Sequence, residues 1–373
     1  MSHTVEKAPA DDSRVAPATG GAATANRVLT ALSFRNVSAV YILAALLLVF
    51  AVWIPDTFYT ETTMRTLFDS QAIVGLVAVS LVIPLAAGVF NLAVGYQVGA
   101  AGIIVGYLLV DQGRGVLFSI LAALLAGVLI GLVSGVLVVK ARIDSFIATL
   151  GVSSLLAALV TAVSDGRQIL NLPKPFADLG TNTLQGVTYP VIALVLVALM
   201  VWYVLERTPL GRRIYATGGN IDAARLAGVK TSAIIVGSLM ACGAIASLAG
   251  VLVTARLANA DPTVGPSYLL PAFTAAFLGS TQFRGGRFNV WGAVLAVYVL
   301  AVGVKGLQLA GAPVWIPDAF NGASLLLAVG MAAYASPARR GTKRTLLSAL
   351  LERLRPGTAG DTGAAQPDSP PHV

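Results

Sequence analysis

Long apolar stretches separated by short polar segments dominate the pattern of this chain. No Asp, Glu, Lys or Arg occurs between Asp69 and Asp111, and residues 116–139 and 231–255 are equally free of charge. Stretches of this kind reach or exceed the roughly 20 residues that a helix needs to cross a bilayer. The pattern therefore predicts an all-α polytopic membrane protein.

About ten segments are expected to cross the membrane. The uncharged block after Asp69 is divided at Gly88, because Pro84 and Asn91 also interrupt it. The eighth segment is short and follows two X-Pro pairs at 261–262 and 265–266, which predicts a short or broken helix. The predicted spans are 38–54, 70–88, 92–110, 116–139, 145–163, 189–205, 231–255, 269–283, 288–306 and 318–335.

Composition supports a membrane domain over residues 37–336. Hydrophobic residues make up 56% of the chain and charged residues 11%, whereas about a quarter of the residues of soluble domains are charged. Residues 1–36 and 337–373 are predicted to be cytoplasmic tails, disordered except for residues 345–354. Leucines there form one stripe beside Arg344 and Arg353, which predicts a basic amphipathic helix on the inner leaflet.

The basic residues set the orientation. With ten spans, both termini lie on one side, and that side carries most of the 25 basic residues. By the positive-inside rule both termini are cytoplasmic, and the net charge of +8 reflects topology, with no need for a nucleic-acid partner. The basic residues left on the other side are Arg65, Arg114, Arg167, Lys174, Arg256 and Lys305.

The chain lacks the residues of several functional classes. His3 and His372 lie at the termini and the single cysteine, Cys242, lies in an apolar run, so no metal site or internal disulfide is expected. The sequence contains no Gly-Lys pair and so no Walker A loop. The spans lack the buried carboxylates of ion-coupled carriers and the catalytic groups of intramembrane enzymes. We expect no enzyme activity and no cofactor in this chain. A passive facilitator remains an alternative to a transporter energised by another subunit.

The largest predicted cytoplasmic loop, residues 206–230, contains a short helix signal. Asn220 is a good N-cap, Arg225 lies near the end, and Gly228 suits a left-handed residue after the helix, which predicts a helix over 221–227. Gly218 and Gly219 predict a flexible approach to it. Docking of a partner and an ordinary positive-inside loop explain this pattern equally well.

Three polar residues follow the interruption near Gly88: Asn91, Tyr96 and Gln97. Uncharged amides and a phenol suit a path for hydroxylated solutes, although for each residue alone a hydrogen bond between helices is the favoured explanation. Glycines at 127, 131 and 135 predict close helix packing, within the chain in preference to a subunit interface.

Several motifs carry a family resemblance. Residues 211–228 (GRRIYATGGNIDAARLAG) resemble the coupling loop of the ribose, xylose and galactose permeases of ABC importers. Residues 146–151 (FIATLG), 165–167 (DGR), 277–281 (FLGST), 285–287 (GGR) and 290–292 (VWG) resemble further motifs of that family, in the same order. One departure is residues 91–95, NLAVG where those permeases carry DLSVG, which leaves the solute open.

The resemblance implies a multi-pass permease of the bacterial inner membrane for a small polar solute, expected to be a monosaccharide. It implies two permease copies of the same or different kinds, a periplasmic solute-binding protein, and cytoplasmic ABC ATPases that bind the ATP. The residues expected to meet the ATPase are Gly211, Arg212, Gly219, Asn220, Ala224, Arg225 and Gly228.

Overall fold

The computed structural model describes residues 34–282 and 286–335, and this part of the chain is almost entirely helical. Residues 1–33 and 337–373 of the predicted tails, including the helix over 345–354, lie outside the described residues, whereas residues 34–36, predicted as disordered tail, form the start of the first helix. The helices are α1 Phe34–Trp53, α2 Pro55–Phe58, α3 Glu61–Ala86, α4 Val94–Val110, α5 Val116–Val139, α6 Ser145–Ser164, α7 Lys174–Thr181, α8 Tyr189–Arg207, α9 Pro209–Gly219, α10 Ile221–Leu226, α11 Thr231–Leu257, α12 Leu269–Gln282, α13 Val290–Leu309 and α14 Ile316–Ala335.

Each of the ten predicted spans has a corresponding helix. Within the described residues, six helices are long and apolar enough to cross a membrane: α3, α5, α6, α8, α11 and α13. Tyr41–Trp53, Val94–Val110 and Ile316–Gly330 are shorter apolar helices. The polytopic all-α prediction is confirmed at this level. The sequence did not predict α7 or the small hairpin Thr183–Leu184/Val187–Thr188 that follows it.

The centre of the molecule is built on α3 and α11. Helix α11 packs against α3, α4 and α5, while α3 also meets α8, α12 and α13. More than half of the apolar window of α3 and of α11 is buried, against about a quarter for α5 and α8. Because lipid covers apolar side chains as well as protein does, the outer helices keep large exposed residues such as Leu155 and Leu196.

Small residues bring α5 and α11 into close contact. Gly127 packs on the Gly243 backbone and Ser247, and Gly131 packs on the backbone at Leu239. A side chain at either glycine would collide with α11. The glycine series therefore serves packing within the chain, as the sequence favoured.

The eighth predicted span is a short helix, as expected. Helix α12 has 14 residues, about 21 Å of helix, which is less than the roughly 30 Å bilayer core. A 3-10 turn, Gly265–Tyr268, precedes it, and Gly265 packs on the backbone of Gly95 and Gly99 in α4. The broken segment is thus held against the helix that follows the Gly88 interruption.

Candidate functional site

The segment predicted as a flexible approach to the loop helix is itself a helix, α9. Thr208 starts it: its Oγ1 accepts a hydrogen bond from the Gly211 N–H at 3.4 Å, and Pro209 occupies the first turn, where a missing N–H is harmless. The expectation of flexibility at Gly218 and Gly219 is wrong, because both residues lie within the last turn of α9. Tertiary contacts hold this turn, and they are invisible in the local pattern.

Helix α9 is attached to the rest of the helical bundle at three places. Gly211 lies directly on the backbone of Leu205, so α9 folds back tightly against the end of α8. The Tyr215 hydroxyl donates to the Phe288 carbonyl at 2.7 Å, at the start of α13. Gly218 packs against the Ala86 carbonyl oxygen and the backbone of Gly88.

The contact between Gly218 and Gly88 joins two segments that are far apart in sequence. Gly88 has φ +80°, a conformation that side-chain-bearing residues rarely adopt, and it ends the turn after α3. A Cβ on Gly88 would lie 3.0 Å from the Gly218 Cα. The end of α9 therefore rests directly on the break between α3 and α4.

The caps predicted for the second loop helix, α10, are present. Asn220 Oδ1 accepts from the N–H groups of Asp222 and Ala223 at 3.1 and 3.0 Å. At the other end Gly228 has φ +79°, its N–H donates to Arg225 O, and the Val229 N–H donates to Ala224 O, which is a Schellman motif. The helix ends at Leu226, one residue earlier than predicted.

Helix α10 presents most of its side chains to the outside. Leu226 is 90% exposed, which is unusual for a leucine outside the membrane, and Ile221 and Arg225 are also exposed. Ala224 was predicted to meet a partner, but it is only 5% exposed, so its side chain is covered by the rest of the chain.

The other predicted coupling residues are spread over α9 and α10. Gly219 and Arg212 are exposed, and Arg212 lines a cavity of about 420 Å³ together with Arg287 and Asn289. Gly211 is buried at the turn between α8 and α9. The seven residues thus divide into an exposed set and two buried positions, Gly211 and Ala224.

A wide crevice of about 850 Å³ separates α10 from the loop between α5 and α6. Ile221 and Arg225 line it on one side, Arg142 and Asp144 line it on the other, and Gly88 forms part of its wall. The exposed helix α10 and the helix break therefore border the same space.

Hydroxyl groups of α6 satisfy the open backbone of the break. The Phe90 N–H donates to Ser145 Oγ at 3.1 Å, and the Leu92 N–H donates to Thr149 Oγ1 at 3.0 Å. Irregular backbone inside a membrane needs such partners, because no water is there to replace them. The sequence pattern did not single out these two residues, although Thr149 lies within the motif at 146–151.

The structure brings Asn91 and Gln97 together. Asn91 Nδ2 donates to Gln97 Oε1 at 3.1 Å and to Cys242 Sγ at 3.3 Å, and both amides are fully buried. Tyr96 is separate from them and packs, half-buried, against the apolar side of α6. In this conformation the pair bridges α4 and α11 and borders no open path.

One polar atom of this cluster is unpaired. Gln97 Nε2 is buried beside the tight crossing of α5 and α11, and no acceptor within residues 34–282 or 286–335 is in hydrogen-bond reach. An unpaired buried donor costs on the order of 1–3 kcal/mol. Gln97 of α4, close to the break, therefore has one unsatisfied hydrogen-bond donor at the centre of the bundle.

Comparison with known proteins decides the family. Residues 63–329 match the family described as the permease component of the branched-chain amino acid transport system. The chain belongs to this permease family. The match runs from α3 to α14 and includes the break, α9 and α10.

Several relatives of this chain are permease proteins whose names include a sugar. The ribose import permease protein RbsC of Escherichia coli strain K12 is 33% identical over 77% of this chain and 91% of its own length. The L-arabinose ABC transporter permease protein AraH of Azospirillum brasilense is 29% identical over 78% and 85%. The D-allose transport system permease protein AlsC of E. coli K12 is 26% identical over 81% and 92%.

No solved structure matches the permease significantly. The family description names amino acids and the relatives are named for sugars, so family membership alone leaves the solute of the permease open.

Proposed function

We propose that this permease forms the membrane path of an ATP-driven importer for a small polar solute, a monosaccharide, in the bacterial inner membrane. ATP is hydrolysed by separate cytoplasmic subunits, and a periplasmic binding protein delivers the solute. One observation carries the proposal: a capped, outward-facing helix, α10, is joined through the firmly attached α9 to a helix break in the bundle.

Ten crossings agree with the contacts between loops. The contacts of Gly88 with Gly218 and of Tyr215 with Phe288 join segments that this topology puts on the cytoplasmic side. On the outer side, Thr188 Oγ1 donates to Asp69 at 2.7 Å, and residues 169 and 260 form a β-bridge. Each contact joins two segments assigned to the same side, which supports the ten-span arrangement.

The proposed coupling runs from α10 to the break. An ATPase groove receives Leu226 and Ile221, which are apolar and exposed. Because α9 is fixed to α8, α13 and the end of α3, a displacement of the loop shifts Gly218 against Gly88. The pair of Asn91, in the break, and Gln97, in α4, then changes hydrogen-bond partners. The unpaired Gln97 Nε2 favours such a change, because a new partner would satisfy it.

The proposed path runs along α6, between this chain and a second permease copy. Gly151, Ser154, Ala158 and Thr161 are all exposed and follow one face of α6 at spacings of three and four, with the exposed Ile147 and Leu155 beside them at the edge toward lipid. Small and hydroxyl-bearing residues suit a water-filled path or a close helix contact better than a lipid-facing surface. Tyr96 packs against the buried side of α6 and so lies away from the proposed path. Asn91 and Gln97 are assigned to the coupling at the break and not to the path.

The solute is proposed to be a monosaccharide on two grounds. The relatives named above are named for pentoses and a hexose. The proposed path offers hydroxyl groups and no carboxylate or amine along α6, which suits an uncharged solute with many hydroxyls.

Co-purification tests the ATP-driven assignment. The permease is isolated from its native membrane in mild detergent, and bound proteins are identified by mass spectrometry. We expect a stoichiometric ATPase with a Walker A loop. The permease isolated alone, from a preparation that keeps a known ABC complex intact, would instead support the passive facilitator.

Cysteine labelling tests the path. Cys242 is the sole cysteine of the chain and is buried, so Ser154→Cys introduces a single accessible thiol. We expect a charged thiol reagent to label Ser154→Cys, and the proposed sugar to slow the labelling. Leu199→Cys on α8 is the control, because its exposed side chain faces lipid in this proposal. Equal labelling of both variants would contradict the assignment of α6.

A further inference from the structure

An apolar groove of about 310 Å³ lies between α8 and α11, beneath α9. Met200 and Val204 of α8 form one wall, and Ile234 and Ala241 of α11 form the other. Gly237 forms part of the α11 wall, where an added Cβ would meet no atom within 4 Å. The groove is therefore open space at membrane depth, bordered by apolar side chains.

A second cavity of about 490 Å³, with polar lining residues, adjoins the groove at its cytoplasmic end. Arg213 and Lys230 line it, and both side chains are exposed. Leu210, Ala233 and Ile234 line both cavities, so the two lie side by side. None of the described residues that line either cavity is acidic, so the two cations keep their charge available for a ligand.

We propose that this composite cavity binds an anionic phospholipid of the cytoplasmic leaflet. An acyl chain lies in the groove between α8 and α11, and the phosphate lies between Arg213 and Lys230. Basic pockets between membrane helices on the cytoplasmic side are the usual places for anionic headgroups. The proposal does not depend on the identity of the solute, but the headgroup cavity is also lined by Gly228, one of the residues expected to meet the ATPase.

Charge complementarity distinguishes the lipid from the chain's own tail. Residues 345–354 carry a leucine stripe that could enter an apolar groove, but Arg344 and Arg353 flank the stripe. Those side chains would meet Arg213 and Lys230 with like charge, whereas a phosphodiester carries the opposite charge. The lipid therefore fits both the groove and its mouth.

The position of the site connects it to the loop. Lys230 directly precedes α11 and follows the end of α10, and Leu210 lies in the first turn of α9. A bound lipid would brace α9, α8 and α11 against one another at the point where the loop enters the membrane. Lipid composition would thus act on the loop through occupancy of this site.

Native mass spectrometry of the full-length permease, with phosphatidylglycerol and phosphatidylcholine of identical acyl chains, tests the proposal. We expect the wild type to retain phosphatidylglycerol several-fold better. Arg213→Gln and Lys230→Gln should each lower its retention about fivefold, the loss expected for one cationic contact at a membrane surface. Lys140→Gln, an exposed cytoplasmic cation outside both cavities, should leave retention unchanged.

A second pair of variants tests the groove. Gly237→Leu should fill it and lower retention of phosphatidylglycerol, while Gly330→Leu, at an open glycine of α14, should not. If Gly237→Leu fails to fold, Ala241→Leu fills the same groove. Wild-type retention by a folded groove-filling variant would overturn the proposal. Complete displacement of the lipid by inorganic phosphate, or a rise in lipid retention in Leu350→Glu, would also overturn it, by pointing to a free-anion site or to occupancy by the tail.

Discussion

Helices α9 and α10 are consecutive in the same loop between α8 and α11, yet they relate to the rest of the permease in opposite ways. Helix α9 buries Ile214 and Thr217 and touches three other helices through Gly211, Tyr215 and Gly218. Helix α10 buries Ala224 but leaves Leu226 almost fully exposed. In the function proposed above, this difference corresponds to two roles: α10 receives the ATPase, and α9 passes its movement to the break at Gly88.

The largest effect is expected from Gly218→Val, which disrupts the contact of α9 with Ala86 and Gly88. The new Cβ would collide with the Ala86 carbonyl oxygen and the Gly88 amide, and overpacking of this kind costs about 1–3 kcal/mol or more. We expect a clear fall in the melting temperature of the purified permease and loss of solute uptake.

Gly219→Ala is the matched control for that change. An added Cβ at Gly219 meets no atom within 4 Å, so stability and uptake should stay close to wild type. If Gly218→Val were as stable and active as Gly219→Ala, the contact with Gly88 would have no role in coupling.

Leu226→Asp changes the exposed surface of α10 and should weaken ATPase binding without changing the stability of the permease. An exposed leucine that anchors an interface contributes about 2 kcal/mol, so the ATPase should bind about 30-fold more weakly. The melting temperature of the isolated permease should be unchanged, since the side chain has almost no contact within the chain. Leu226→Met is the conservative control, and undiminished ATPase retention by Leu226→Asp in a pull-down would remove α10 from the interface.

A smaller effect is expected from Asn220→Ala, at the junction of the two helices. Loss of the Oδ1 acceptor for two N–H groups should destabilise α10 by about 1 kcal/mol, which corresponds to about fivefold weaker ATPase binding. Asn220→Asp keeps the acceptor and should restore binding, as measured by titration of the ATPase. If Asn220→Asp bound the ATPase as weakly as Asn220→Ala, Asn220 would have a role other than capping α10.

Local features of the loop and the break were predictable from sequence. Asn220 and Gly228 were recognised as caps because capping depends on residue type and on backbone within a few positions. The break at Gly88 was recognised for the same reason, since Pro and Gly interrupt helices locally. The helix α9 was missed because Gly218 and Gly219 have poor helix propensity, and because the packing of Gly218 on Ala86 and Gly88 is a tertiary contact that the local pattern does not encode.

From the sequence alone it was clear that the chain is a helical polytopic membrane protein, where its apolar helices lie and which permease family it resembles. The folded structure was needed to show that Asn91 and Gln97 face each other and not a path, that Ala224 is covered while Leu226 is exposed, and that α9 rests on Gly88. The physical reason is that lipid and protein interior are equally apolar, so hydropathy marks a span without marking its buried face. Contacts such as that between Gly88 and Gly218 join residues 130 positions apart, and no local pattern encodes them.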